Sequence, residues 1–409
     1  MKSALLNIGN ELLSGATVNT NAAWLGRTLL SIGHPVSQTL VVSDSRDAIL
    51  DALTHLWEYH DIIIVTGGLG PTHDDITVSV VAEFFGSELE FHQITFDALE
   101  KRLSERGIEV TERHRQQATL PIEAKVILNQ AGTASALHFD RDNKHLFCLP
   151  GVPHEMRHLM SNKILPFLEN LSSEHYKTQL FRTIGLPESR LYEDVKDIIE
   201  PLQEGAVAFL PQIYGVDLRL IEKNDNLEQG FLLEISEQIR KRVGENIYAE
   251  EDIPLAQVIG NMLRERDMTL ATAESCTGGL LADMITDILG SSDYFLEGFV
   301  TYSNTAKMRD LGVPEELIQH HGAVSEPVAK HMALGAKNAT GADAALSTTG
   351  IAGPTGGTAE KPVGLVYIGC AVDDNVTVKR YRFSDERRLN KQRSVYAALN
   401  LLRGQMQKI

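Results

Sequence analysis

Asp61-Ile62-Ile63-Ile64-Val65-Thr66 is an unbroken apolar run that empties into Gly67-Gly68-Leu69-Gly70-Pro71-Thr72. A strand without polar alternation must be covered on both faces, the condition of a strand inside a parallel sheet. Its neighbours share this grammar. Ser3–Ile8 reads as a strand ending at Gly9. Trp24, Leu25, Thr28, Leu29 and Ile32 recur at helical spacing, with Gly33 closing that helix. Val36–Val42 is strand-like, and Ile49, Leu50, Leu53, Leu56 and Trp57 mark a second helix. This alternation predicts an α/β, doubly wound sheet with ligands at the carboxyl ends of its strands.

A chain of 409 residues exceeds one ordinary core. The pattern loosens after the first α/β block and resumes at Pro254, so three segments are expected: 1–165, a small α+β middle segment 166–250, and an α/β segment 251–409. In the middle, Arg182–Gly185 and Leu218–Ile221 look like strands, and Ser189–Ile199 and Leu227–Val243 like helices; Ala249-Glu250-Glu251-Asp252 reads as a linker. With 38 basic against 55 acidic residues and a net charge of -17, a nucleic acid or an anionic membrane is not the expected partner. Cys148, Cys276 and Cys370 are far apart and suggest a reducing cytoplasm. No apolar run approaches the ~18 residues of a membrane span. Sheet edges that need covering suggest a homodimer.

In the glycine loop, Gly67, Gly68 and Gly70 let backbone N–H groups turn toward a phosphate. Asp74 and Asp75 either complement a helix N-terminus or hold a hard cation facing a pyrophosphate. Glu11 and Asn21 follow the first strand and should reach the same rim, although Glu11 alone also reads as a solvated charge. Pro150-Gly151-Val152-Pro153 with Glu155 is a rigid turn at another strand end.

Toward the C-terminus, Met268–Ala271 leads into Glu274-Ser275-Cys276-Thr277-Gly278-Gly279. Leu280, Leu281, Met284, Ile285, Ile288 and Leu289 give the following helix one apolar face, which Gly290 ends. Gly278 and Gly279 open that helix, where free N–H groups attract an anion or an oxyanion; Ser275 or Thr277 would cap it. Ser292 is a weak nucleophile unless a base takes its proton. Lys307 is the candidate base. Ser303 and Asn304 are good caps, which place it in the first turn of a helix, where the dipole and burial lower an amine's pKa. Tyr302 would orient or relay. The alternative is a solvated Lys307 beside a packed Tyr302. Cys276 at a helix start is a second, thiol candidate. Thr349 and the loop Gly350-Ile351-Ala352-Gly353-Pro354-Thr355-Gly356-Gly357 offer a hydroxyl and backbone donors, and Arg387 either clamps a phosphate or belongs to a solvated charge run.

SGATVNTNAAWL, TGGLGPTHDDIT and LPGVPHEM resemble, in that order, the first domain of the CinA family (competence/damage-inducible protein A), which is similar in fold to molybdopterin-binding proteins. TAESCTGGLLA, GSSDYFLEGFVTYSNTAK, GAVSEP, TGIAGPTGG and EKPVGLVYIG resemble the C-terminal domain of the same family, also found as stand-alone PncC enzymes. The second resemblance implies an amidohydrolase that converts nicotinamide mononucleotide to nicotinate mononucleotide and ammonia in pyridine nucleotide salvage, without a cofactor. It implies Ser292 as nucleophile and Lys307 as base, Ser275, Tyr302 and Thr349 as active-site partners, and a substrate contact at Arg387, with Gly278, Gly279, Gly350, Gly353, Gly356 and Gly357 around the substrate. The first implies metal-dependent hydrolysis of ADP-ribose, with the nucleotide at Gly67, Gly68, Gly70, Thr72 and Asn21 and a divalent ion at Asp74, Asp75 and Glu11. The alternative is a non-catalytic regulatory protein that binds a nucleotide or molybdopterin.

Overall fold

The structure, a computed structural model, describes residues 1–171, 176–202, 206–223 and 231–408. Two compact units emerge, 1–178 with 222–228, and 179–221 with 229–409. The first unit contains β1 (Ser3–Ile8), β2 (Val36–Val42), β3 (Ile62–Thr66), β4 (Leu89–Phe91), β5 (Thr119–Pro121), β6 (Lys125–Ile127), β7 (Ala136–Arg141) and β8 (Lys144–Leu149). Six of them form one sheet in the order β2-β1-β3-β8-β7-β6, and β4 pairs with β5. β2, β1, β3 and β8 run parallel, as the apolar runs predict, and β7 pairs antiparallel with both β8 and β6. The reversal is local chemistry: Asp142 and Asn143, both at positive φ (57 and 59), close a two-residue hairpin between β7 and β8. β3 is buried along its whole length. Ile63 and Val65 enter one core, and Ile62 and Ile64 the core on the opposite face. Helices Thr20–Ser31 and Arg46–Tyr59 cover these faces.

Of the remaining strands, β9 (Tyr176–Thr183), β10 (Val207–Pro211), β11 (Val216–Lys223) and β12 (Ile247–Ala249) form a sheet ordered β10-β11-β9-β12. Phe181, Leu218 and Leu220 pack there with Leu191, Val195 and Ile239 from helices Glu188–Ile199 and Phe231–Val243. Residues 227–230 of the expected second helix lie outside the described residues. The acidic stretch expected as a linker is partly anchored, because Arg240 Nη2 donates to Glu250 Oε2 at 2.7 Å.

In the second unit, β13 (Leu270–Glu274), β14 (Phe295–Val300), β15 (Ala344–Gly350), β16 (Leu365–Val372) and β17 (Asn375–Arg382) form a sheet ordered β14-β13-β15-β16-β17. β14, β13 and β15 are parallel. Their carboxyl ends therefore share one edge, and the segments beginning at Ser275, Thr301 and Ile351 all leave from it. The helix after β13 spans only Leu280–Thr286. Leu289 is 93% exposed, so the apolar face expected to run to Gly290 stops short of it.

Helix Glu326–Thr340 backs this sheet and lies against helix Asn304–Leu311. Gly335 makes that approach: a methyl group there would run into the Leu311 carbonyl oxygen. Gly335→Ala is expected to cost about 1–3 kcal/mol in urea-unfolding midpoint terms, as overpacking does. Gly404→Ala, with open space around the new methyl, is the control and should be neutral or stabilising by up to about 1 kcal/mol.

Candidate active site

At the carboxyl edge of the second unit, Lys307 Nζ donates to Ser275 Oγ at 3.0 Å, to the Thr301 carbonyl at 2.7 Å and to the Tyr302 carbonyl at 3.4 Å. Ser303 sets this up by accepting from Ala306 N at 3.1 Å, which starts the helix so that Lys307 enters from its first turn. Lys307 is 1% exposed, and no carboxylate acts on its charge among the described residues. Burial lowers its pKa to about 8. Ser275 is also buried, and its N–H donates to the Thr348 carbonyl at 2.9 Å, which pins the serine to the end of β15.

The nucleophile assignment needs correction. Ser292 is exposed in the turn Ser291–Asp293 that precedes β14. Leu270, the first residue of β13, pairs with Phe295. Ser292 thus lies at the amino edge of the parallel strands, and Ser275 and Lys307 lie at the carboxyl edge. Five residues of strand at ~3.3 Å each separate the edges by roughly 15 Å, and the serine on the amine is Ser275.

Other expectations change as well. The N–H groups of Gly279, Leu281 and Ala282 are taken by Glu274, at 3.0, 3.0 and 2.8 Å. The anion site expected at Gly279 is therefore filled from within, and neither Ser275 nor Thr277 is the cap. Thr277 is buried and shares a 2.6 Å hydrogen bond with Thr348. Tyr302 turns its ring outward, 63% exposed, and its hydroxyl accepts from Arg387 Nη2 at 3.2 Å rather than meeting the amine. Thr349 is buried and donates to the Ala323 carbonyl at 2.7 Å, so its hydroxyl orders the loop before helix Glu326–Thr340. Cys276 is buried, which pushes its thiol up to about 12.

Arg387 Nη1 also donates to the Gly353 carbonyl at 3.0 Å, so one guanidinium joins Tyr302 to the 350–357 loop. Among the described residues, the N–H groups of Gly353, Gly356 and Gly357 carry no hydrogen bond within the chain. Sequence reasoning missed Glu274 and Asn390. The former is a buried carboxylate just ahead of a helix start, a pattern that signals a cap. The latter donates to the Ala352 and Ser384 carbonyls at 3.0 and 2.8 Å, and a polar residue in a helical pattern gave no sign of it.

In the first unit a cleft of about 420 Å³ opens at the strand carboxyl ends. Gly67, Gly68, Gly70, Asn21, Asp74, Asp75 and Glu11 line it, together with Asp44 and Glu155, which sequence reasoning did not select for it. Thr72 is not in that lining; its hydroxyl and N–H both donate to Asp75 Oδ2, at 2.6 and 2.8 Å. Asp75 thus closes its own turn, and the helix begins only at Thr77. Thr77 Oγ1 donates to the Gly67 carbonyl at 2.9 Å and fixes the glycine loop. Among the described residues, Asp74, Asp75 and Glu11 do not gather as a three-carboxylate cage. Asn21 Nδ2 donates to the Gly151 carbonyl at 2.7 Å.

A CinA-like protein of Chloroherpeton thalassium is 42% identical over 415 residues, covering 98% of this chain and 99% of its own. This chain belongs to the CinA family. A putative competence-damage inducible protein of Clostridium botulinum is 39% identical over 405 residues, again 98% and 99% of the two chains. The CinA C-terminal domain matches residues 252–406, the probable molybdopterin binding domain 4–170 and the damage-inducible protein CinA KH domain 178–249. The crystal structure of competence/damage inducible protein CihA from Agrobacterium tumefaciens is 43% identical, covering 37% of this chain and 92% of its own, with a TM-score of 0.36.

Cys148, Cys276 and Cys370 are all buried, with burial pushing each thiol up. Ellman's reagent at neutral pH should therefore leave the native protein almost unlabelled and titrate all three thiols in urea. Rapid native labelling of Cys276 would return it to the list of nucleophiles.

Proposed function

We propose that the C-terminal domain hydrolyses the carboxamide of nicotinamide mononucleotide, with Ser275 as nucleophile and Lys307 as base. The observation that carries this is the buried Nζ–Oγ contact of 3.0 Å. A neutral amine has two N–H groups and one lone pair. With the N–H groups directed at the Thr301 and Tyr302 carbonyls, the lone pair faces Ser275. Oγ attacks the carboxamide carbon while Nζ accepts its proton. That proton passes to the departing nitrogen, the C–N bond breaks, and ammonia leaves an acyl-serine. Water then attacks the ester carbon, giving its proton to Nζ, and Ser275 departs with that proton restored. The pyridinium ring makes the carbonyl carbon more electrophilic. The open N–H groups of Gly353, Gly356 and Gly357 and the Arg387 guanidinium suit the ligand's phosphate. None of these steps calls for a cofactor.

For the N-terminal domain we propose an anionic nucleotide of the ADP-ribose type in the cleft at Gly67–Gly70. A divalent ion held by Glu11 and Asp74 would there neutralise pyrophosphate charge during hydrolysis. Calorimetry with ADP-ribose, with and without Mg²⁺, followed by product analysis separates cleavage from binding alone.

Ammonia release from nicotinamide mononucleotide is the test of the dyad. Ser275→Ala and Lys307→Ala should each lower kcat/KM by about 10³-fold, the scale of lost base catalysis. Ser292→Ala, at an exposed turn, should stay within about twofold. Cys276→Ser should retain turnover, and a fully active Lys307→Ala would remove the proposal.

The amine must be neutral to act, and its pKa is about 8. Its neutral fraction is roughly a tenth at pH 7 and nine-tenths at pH 9, so kcat/KM should rise about tenfold across that range and then level off. A profile flat from pH 6 to 9 contradicts the role of Lys307.

A further inference from the structure

The hairpin of β7 and β8 carries His138-Phe139-Asp140-Arg141-Asp142-Asn143-Lys144-His145. Side chains two apart on a strand share a face, so His138 and Asp140 point the same way from β7. In register, Asp140 faces His145 and His138 faces Phe147. The two-residue turn at Asp142-Asn143 therefore brings two imidazoles and a carboxylate to one spot. His138 Nε2 and His145 Nδ1 lie 3.2 Å apart. His145 Nδ1 and Asp140 Oδ1 lie 3.7 Å apart, and all three ligand atoms fall within 4.8 Å of one another. Two nitrogens bound to one tetrahedral Zn²⁺ at ~2.0–2.1 Å would be about 3.3 Å apart.

We infer that His138, Asp140 and His145 form a binding site for a borderline divalent transition ion, of which Zn²⁺ is the type. The rings are already fixed. His138 stacks on Phe147 at 4.2 Å, and Phe167 meets His138 and His145 edge-on at 5.0 and 5.2 Å. His138 and His145 are 5% and 6% exposed, and that burial lowers both pKa values, His138 to about 4. Their 3.2 Å contact is a hydrogen bond from one imidazole to the other, so an ion bound there replaces that shared proton, which moves to the ring's other nitrogen or leaves. Lys125 Nζ reaches Asp140 Oδ2 at 3.4 Å and leaves Oδ1 for the ion. Asp140 is exposed, so water can complete the shell. Two imidazoles with one carboxylate favour Zn²⁺, Co²⁺ or Ni²⁺ over Mg²⁺ and Ca²⁺.

This site is distinct from the cleft at Gly67–Gly70. His145 stands near the start of β8, and Pro150, which lines the cleft, follows its end. The ion would clasp neighbouring strands across a hairpin, a structural rather than reactive position.

The test uses the untagged full chain, stripped with a chelator and titrated with Co²⁺. The expected result is one equivalent bound with a visible d–d band that Zn²⁺ displaces and a large excess of Mg²⁺ does not. His145→Gln should abolish the band. Asp140→Ala, at an exposed position that leaves the hairpin intact, should weaken Co²⁺ binding by about 10-fold or more. The double variant Glu11→Gln/Asp74→Asn should keep the band, which separates this site from the cleft. No band with wild-type protein at millimolar Co²⁺, or a band unchanged in Asp140→Ala, overturns the assignment.

Discussion

The desolvation of one amine organises the second unit. Lys307 reaches Ser275 only because its side chain is buried beneath carbonyl oxygens of the chain that leads to its own helix. Carbonyls satisfy an amine's donors without adding a full negative charge, so burial is free to lower its pKa. A carboxylate in the same place would hold the amine protonated. The fold supplies such a carboxylate nearby, Glu274, and spends it elsewhere. Its two oxygens cap the helix that follows, taking three N–H groups that would otherwise be orphaned at a buried helix start.

That cap has a second effect. With Glu274 holding the helix start, Ser275 is released from the capping duty its residue type would ordinarily assume, and its hydroxyl turns to Lys307. Parallel pairing fixes the rest. Thr301 N donates to the Glu274 carbonyl at 2.8 Å, and Ser275 N to Thr348. Amine, hydroxyl and the glycine loop after β15 are thus bound to one another through the main chain of three adjacent strands, so the site inherits the stiffness of the sheet.

Much of this was legible from residue patterns, and the failures have physical reasons. Apolar runs ending in glycine located the strands and their carboxyl edges because burial on both faces demands such runs; the interior strand β3 is the plainest case. The caps at Ser303 and Asn304 place Lys307 in a first helical turn, where the structure has it. The choice between two serines failed because sequence proximity says nothing about which edge of a sheet a turn occupies. Ser292 is nearer Lys307 along the chain, but a helix intervenes between Ser275 and Ser292 and carries the chain back to the opposite edge. Thr349 and Asp75 failed in another way. Short hydroxyl and carboxylate side chains bond readily to nearby backbone and turns, and their contacts with Ala323 and Thr72 appear only when the backbone is placed. The hairpin histidines were passed over because sequence reading does not identify β7 and β8 as antiparallel partners.

One rigid element joins the active-site loop to the middle segment. Helix Arg387–Met406 has 20 residues, roughly 30 Å of continuous hydrogen-bonded backbone. At its first turn Arg387 holds the Gly353 carbonyl and the Tyr302 hydroxyl, and Asn390 holds Ala352. Near its last turn, Arg403 is buried and donates to the Ile247 carbonyl at 2.8 Å and to the Glu245 carbonyl. Between them Tyr396 lies against Tyr214, ring centroids 4.2 Å apart. A guanidinium buried against carbonyls is costly to expose unpaired, so the strand at Ile247 and the loop at Gly353 are set against the same helix. The middle segment is consequently part of the scaffold that positions the loop, which is why residues 179–221 and 229–409 form one compact unit rather than two.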